Sequence, residues 1–233
     1  MTRYPLVVPT SKEVIEAAKM RVIAAYNESL RMRGEFHLVL AGGQTPKVLY
    51  EQLVTANIDW TKVFVYFGDE RYVPLDDPQS NAHMADEALL YHVPIPNEQV
   101  FRFDTALEPE RSAKDYEDRL HASMGDRRFD LTLLGMGDDG HTASLFPGTD
   151  ALTVKDRWVV ANPVAKLNAV RLTMTYPRLN HSDNVLFLVV GANKGVALAQ
   201  VFRGGDVPAG QVSAEYDVMF LVDQEAARAG GIR

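Results

Sequence analysis

The chain has 233 residues, 46% of them hydrophobic and 24% charged, with no cysteine and a formal net charge of −7. This length buries a substantial core, and the missing cysteines remove disulfides, a thiol nucleophile and thiolate metal sites. An acidic chain without a basic stripe does not read as a nucleic-acid binder, and no apolar run approaches the roughly 18 residues of a membrane span.

The first residues, MTRYPLVVPTSKEV, contain no basic leader followed by a long apolar stretch. No signal peptide is read there, and a cytoplasmic location is expected. Thr10-Ser11-Lys12-Glu13 has the form of a capping box. Behind it Val14, Ala17, Ala18, Val22 and Ala25 recur at helical spacing, with Gly34 as terminator. FHLVLA (36–41) reads as a buried strand. GGQTP interrupts it, and Pro46 suits the first turn of a helix to about Val54.

KVFVYF (62–67) is a second strand, followed by the long loop GDERYVPLDDPQSN and a helix over Ala82 to Leu90. A strand is expected near Val100 to Phe103, a charged helix over Glu108 to Met124, and a third strong strand at FDLTLLG (129–135). Further strands are expected at Trp158 to Ala161, Val170 to Thr175, Val185 to Val190 and Val218 to Val222. A helix over about Asn193 to Phe202 and a short one after Asp223 complete the pattern. Strands alternating with helices, without linker or repeat, predict an α/β fold: a mostly parallel, Rossmann-like sheet flanked by helices in a single domain spanning 1–233. In such sheets ligands sit at strand carboxyl ends. The loops Gly42–Pro46, Gly68–Asn81 and Gly135–Gly148 leave those ends and hold the unusual residues.

Gly135, Gly137 and Gly140 spell the dinucleotide pattern G-x-G-x-x-G within LLGMGDDGHTASLFPG. Its variable positions include Asp138 and Asp139, whose carboxylates would repel a pyrophosphate, and Asp156, the acid near the right spacing, precedes its strand instead of ending it. The competing reading makes Asp139 and His141 a working pair, because imidazole titrates near neutrality and a carboxylate can hold its tautomer. A plain surface loop and a metal site recruiting His83 and Asp69 are further alternatives. GGQTP lies between a strand and a helix N-terminus, where free N–H groups and the helix dipole favour an anion. Gln44 and Thr45 offer side-chain donors there. GDERYVP places Asp69, Glu70 and Arg71 just past a strand, where an Arg can clamp an oxyanion. Arg171 and Lys194 are two further isolated cations. No G-x-S-x-G nucleophile elbow occurs, and Ser144 is assigned to packing or to capping a helix after the loop.

Taken together, LAGGQTP, FGDERYVPLDDPQSNAHMA, DLTLLGMGDDGHTASLFPG, VRLTMTYPRLN, VGANKGVAL and FLVDQEAA resemble the 6-phosphogluconolactonase family, in order and over nearly the whole chain. The glycine loop is shared with glucosamine-6-phosphate deaminases. The resemblance implies hydrolysis of 6-phosphogluconolactone, the second step of the oxidative pentose phosphate pathway, without cofactor, metal or covalent intermediate. It implies a phosphate held by Gly42, Gly43, Gln44, Thr45, Arg171 and Lys194. It makes His141 the general base, Asp139 its orienting acid and Arg71 the group that stabilises developing negative charge, with Asp69 and Asp138 as further candidates at the substrate. Gln44 stands where many family members carry Ser or Thr. The expected partner is a small sugar phosphate, with neither nucleic acid nor membrane, and the oligomeric state of the chain, monomer or homodimer, is left open. The rival readings are an amino-sugar-phosphate deaminase and a non-catalytic sugar-phosphate sensor.

Overall fold

Strands inside a parallel sheet are covered on both faces, so they read as nearly continuous apolar runs. The computed structural model, which describes residues 2–232, bears this out for FHLVL and FDLTLLG. The first half of the chain forms β1 (Thr2–Val8), α1 (Ser11–Arg33), β2 (Phe36–Leu40), α2 (Gln44–Leu53), β3 (Val63–Phe67), β4 (Asp69–Arg71), α3 (Asn81–Ala88), β5 (Val100–Phe101) and α4 (Pro109–Met124). The second half forms β6 (Phe129–Gly135), β7 (Val159–Val164), β8 (Ala169–Met174), α5 (Tyr176–Leu179), β9 (Ser182–Val189), α6 (Gly195–Arg203), α7 (Pro208–Gln211), β10 (Asp217–Asp223) and α8 (Gln224–Gly230).

Seven strands make one sheet in the order β1-β10-β9-β6-β2-β3-β5, every neighbouring pair parallel. From β2 the chain builds outward through β3 and β5. It then returns to β6 and builds the other way through β9 and β10. The order therefore reverses between β2 and β6, and the crevice beyond strand carboxyl ends at such a reversal is where open α/β sheets bind ligands.

The long helix α1 crosses β1, β2, β6, β9 and β10. Its start is set by Thr10, whose hydroxyl accepts the Glu13 N–H and donates to the Glu13 carboxylate at 2.7 Å. Such a cap contributes about 1 kcal/mol. Its end is set by Gly34 in the left-handed region, φ 78°.

Two strands escape the sequence pattern. β1 contains Pro5, which argues against a strand, yet the sheet accepts it because β1 is an edge. β4 consists of three charged residues, and its backbone pairs antiparallel with β8. With β7 it makes a separate three-stranded antiparallel sheet, order β4-β8-β7. Arg178, in α5, is buried between the rings of Phe129 and Trp158, 3.7 and 4.5 Å from its guanidinium carbon. Phe129 opens β6 and Trp158 precedes β7, so this cation–π sandwich joins the two sheets. Burial pushes the Arg178 pKa down to about 10.

Candidate active site

A site at strand ends needs those ends held still, because their last N–H and C=O groups have no strand partner. Here side chains satisfy them. The Tyr50 hydroxyl, from α2, accepts the Ala41 N–H at 2.9 Å and donates to the Ala41 carbonyl at 2.8 Å just past β2. Tyr116, from α4, does the same for Phe67 at the end of β3, at 2.9 and 3.1 Å. Burial raises the pKa of both phenols, which keeps them neutral donors. Thr142 donates to the Gly135 carbonyl at the end of β6, 2.8 Å. Asp223 accepts the N–H of Gly191 beyond β9 and that of Ala226 in α8. The three expected loops and the start of α6 are thereby fixed around one cleft.

The cleft has a volume of about 220 Å³, and Gly42, Gly43, Asp69, Arg71, His141 and Lys194 line it. Gly42 is required by close approach: a Cβ there would lie 1.9 Å from Asn81 Oδ1. Asn81 opens α3 and donates to the Asp69 carbonyl at 2.9 Å. Gly43 is the N-cap of α2, at φ 111°, with no side chain capping the helix. The first N–H groups of α2 therefore remain available to an anion. Gln44 and Thr45 do not line this cleft. They line a neighbouring groove with Ser11, Lys12 and Val48.

On the other side, Asp139 Oδ1 meets His141 Nδ1 at 2.5 Å and accepts the His141 N–H at 3.1 Å. The imidazole stacks on Phe146, ring centroids 4.1 Å apart. Its Nε2 has no hydrogen bond among the described residues, and the ring lines the cleft. Gly137 makes room for it: a Cβ there would lie 2.0 Å from His141 Nδ1. Gly140 turns the chain at φ 79°. Asp138 is exposed, and of the two carboxylates it is Asp139 that bonds the imidazole. Partial burial pushes the Asp139 pKa up, but bonds from Lys166 and His141 outweigh it and hold the group well below the usual carboxylate range.

The cations complete the picture. Arg71 and Arg171 are direct partners across β4 and β8, so two like charges occupy facing positions, an unfavourable pairing unless an anion joins them. Half-burial lowers the Arg171 pKa first and Arg71 lowers it further, while Asp69 and Glu70 oppose both. Arg71 donates to the Gln79 carbonyl at 2.6 Å. Among the described residues, Arg71, Arg171 and Lys194 form no ion pair with a carboxylate. Arg71 and Lys194 line the cleft, whereas Arg171 is not among its lining residues and lies opposite Arg71 on β8; in a chain of net charge −7, such unpaired cations favour an anion nearby.

Several residues here carry no readable sequence signal. Glu70 is buried beneath the cleft and accepts N–H bonds from Arg71, Asn81 and Ala82 at 2.6–2.8 Å, tying β4 to the start of α3. Burial raises its pKa against the pull of those donors. No α-helix follows His141 before β7, only a short 3₁₀ turn at Asp150–Thr153. Ala143 adopts φ 46°, Thr142 and Leu145 form an isolated bridge, and the chain continues through Pro147 and Gly148. Ser144 therefore caps nothing; it is buried and donates to Asp69 Oδ2 at 2.6 Å. Without a following helix, the G-x-G-x-x-G loop also lacks the N-terminus on which a pyrophosphate would rest.

The chain is similar to known proteins in sequence and in fold. Residues 9–220 match the family described as glucosamine-6-phosphate isomerases/6-phosphogluconolactonase. A 6-phosphogluconolactonase of a Synechocystis species is 41% identical over 223 residues, covering 91% of this chain and 92% of the relative. That of Mycobacterium tuberculosis is 37% identical over 234 residues, 94% and 95% covered. The crystal structure of a 6-phosphogluconolactonase from Thermotoga maritima superposes with a TM-score of 0.88 at 31% identity, covering 96% of this chain and all of that one. A monomeric glucosamine-6-phosphate deaminase superposes with 0.80 at 25% identity, covering 97% and 99%. The chain belongs to the glucosamine-6-phosphate isomerase/6-phosphogluconolactonase family.

Proposed function

We propose that the chain hydrolyses 6-phosphogluconolactone to 6-phosphogluconate. The observation that carries this reading is one cleft holding both an acid-oriented imidazole with a free Nε2 and cations without carboxylate partners. The substrate phosphate lies over Gly42, Gly43 and the N-terminal turn of α2, with Lys194 and Arg171 supplying positive charge. Gln44 and Thr45 contribute through backbone N–H groups only.

The ring carbonyl then faces His141. Nε2 takes a proton from water as its oxygen attacks the carbonyl carbon, and Asp139 stabilises the imidazolium through Nδ1. Arg71 balances the charge developing on the carbonyl oxygen. The carbon–ring-oxygen bond breaks, and the imidazolium returns its proton to that oxygen as the leaving alcohol. A lactone is an activated ester, so one base and one oxyanion partner suffice, and Ser144, buried against Asp69, is no nucleophile. This step belongs to the oxidative pentose phosphate route.

The test is hydrolysis of freshly prepared 6-phosphogluconolactone, corrected for spontaneous opening, beside ammonia release from glucosamine 6-phosphate. Rapid lactone hydrolysis with negligible ammonia is expected. Ammonia release without lactone turnover would favour the deaminase reading; no turnover of either would leave a sugar-phosphate sensor.

A further inference from the structure

We infer that Lys166, at the tip of the β7–β8 hairpin, is a positioning residue that sets the behaviour of the His141 base through Asp139. The inference rests on the reading of His141 as the base. Lys166 lies in a single turn of 3₁₀ helix, Ala165–Leu167, closed by Asn168 in the left-handed region, φ 46°. Its Nζ lies 2.9 Å from Asp139 Oδ2, while Oδ1 of the same carboxylate meets His141 Nδ1 at 2.5 Å. One carboxylate is thus shared between a cation and the imidazole.

This contact is not needed to hold the hairpin in place. The Ser144 N–H donates to Thr173 Oγ1 at 3.2 Å, and Asn162 Nδ2 donates to the Ser144 carbonyl at 2.8 Å. Both bonds are buried and already fasten β7 and β8 to the His141 loop. The Lys166 side chain is 64% exposed, and exposed ion pairs add little to stability. The consequence of the contact falls on the carboxylate.

Lys166 acts in two ways with different signatures. It fixes the carboxylate plane, so that Oδ1 holds the tautomer with Nε2 free. It also draws on the negative charge that stabilises the imidazolium. Other charged groups at the pair are Asp138, adjacent in the loop and attracting Lys166, and Asp69, Arg71 and Lys194 across the cleft; all are unchanged by substituting Lys166. Removing Lys166 leaves the whole Asp139 charge to the imidazolium. Protonated His141 is then favoured, and the acid limb of the pH–rate profile moves to higher pH.

The experiment measures kcat and KM against pH for the parent protein and for Lys166→Ala, Lys166→Met, Lys166→Arg and His141→Ala. Imidazole titrations are followed by NMR in ¹⁵N-histidine-labelled protein. For Lys166→Ala and Lys166→Met, the acid limb and the His141 titration should both rise by about half a pH unit. Plateau kcat should fall roughly 3- to 10-fold, with KM within about twofold. Lys166→Arg should restore both, and melting temperatures should stay within about 2 °C. An unmoved His141 titration in the folded Lys166→Ala protein overturns the inference, as does a change confined to KM. If His141→Ala retains full activity, it is the base reading that fails. If His141→Ala is inactive while Lys166→Ala matches the parent in profile and rate, only the role of Lys166 fails.

Discussion

Two glycine loops leave adjacent parallel strands at the point where the sheet order reverses, and they do opposite jobs. After β2, Gly42 and Gly43 lead straight into α2. They present backbone: uncapped N–H groups at a helix N-terminus, suited to an anion. After β6, Gly137 and Gly140 lead into a turn with no helix behind it. They present side chains, Asp139 and His141. In each loop a neighbouring side chain occupies the place of a glycine's Cβ: Asn81 at Gly42, and the imidazole at Gly137 and Val207 at Gly140. A glycine pattern therefore says that something comes close. The presence or absence of a helix behind the loop decides whether the loop presents backbone N–H groups or side chains to the cleft.

The comparison predicts that damage to the β6 loop appears in kcat and damage to the β2 side in KM. The largest effect is expected from His141→Ala, a loss of about 10³-fold in kcat with KM within a few-fold; steady-state kinetics at saturating lactone checks it. Next comes Gly137→Ala, whose methyl would displace the ring. A loss of roughly 10²-fold in kcat is expected from a folded protein, verified by circular dichroism. Arg171→Ala and Lys194→Ala should each raise KM about 10- to 100-fold, the range of one charge-assisted contact, and leave kcat nearly intact. Initial rates against lactone concentration would show it, and a fall in kcat alone would move the phosphate elsewhere. Gly42→Ala, which pushes on Asn81, should raise KM about fivefold and barely alter kcat. The smallest change belongs to Gln44→Ser. Because Gln44 lines the neighbouring groove and not the cleft, both constants should stay within about twofold; a larger shift in KM would return Gln44 to the phosphate.

The strong strands were legible from the sequence because parallel strands are buried on both faces and so spell apolar runs, and the long helices because their caps and periodicity are local. The loops at strand ends could be picked out because glycine, aspartate, histidine and arginine cluster there at short spacing. By itself, then, the chain determined its α/β class, its main element boundaries and the loops that line the cleft. Tertiary structure alone decided the rest. An edge position made a strand of the proline-containing β1, and pairing with β8 made one of the charged Asp69–Arg71. The choice of Asp139 over Asp138, the burial of Ser144 against Asp69 and the reach of Lys166 to Asp139 join residues 2, 75 and 27 positions apart. The two-residue pairing was spelled locally, but which neighbouring carboxylate faces the ring depends on the turn that Gly137 and Gly140 impose. The longer pairings have no periodic or local signature, because a hydrogen bond between side chains on different elements depends on where packing brings those elements and not on their spacing along the chain.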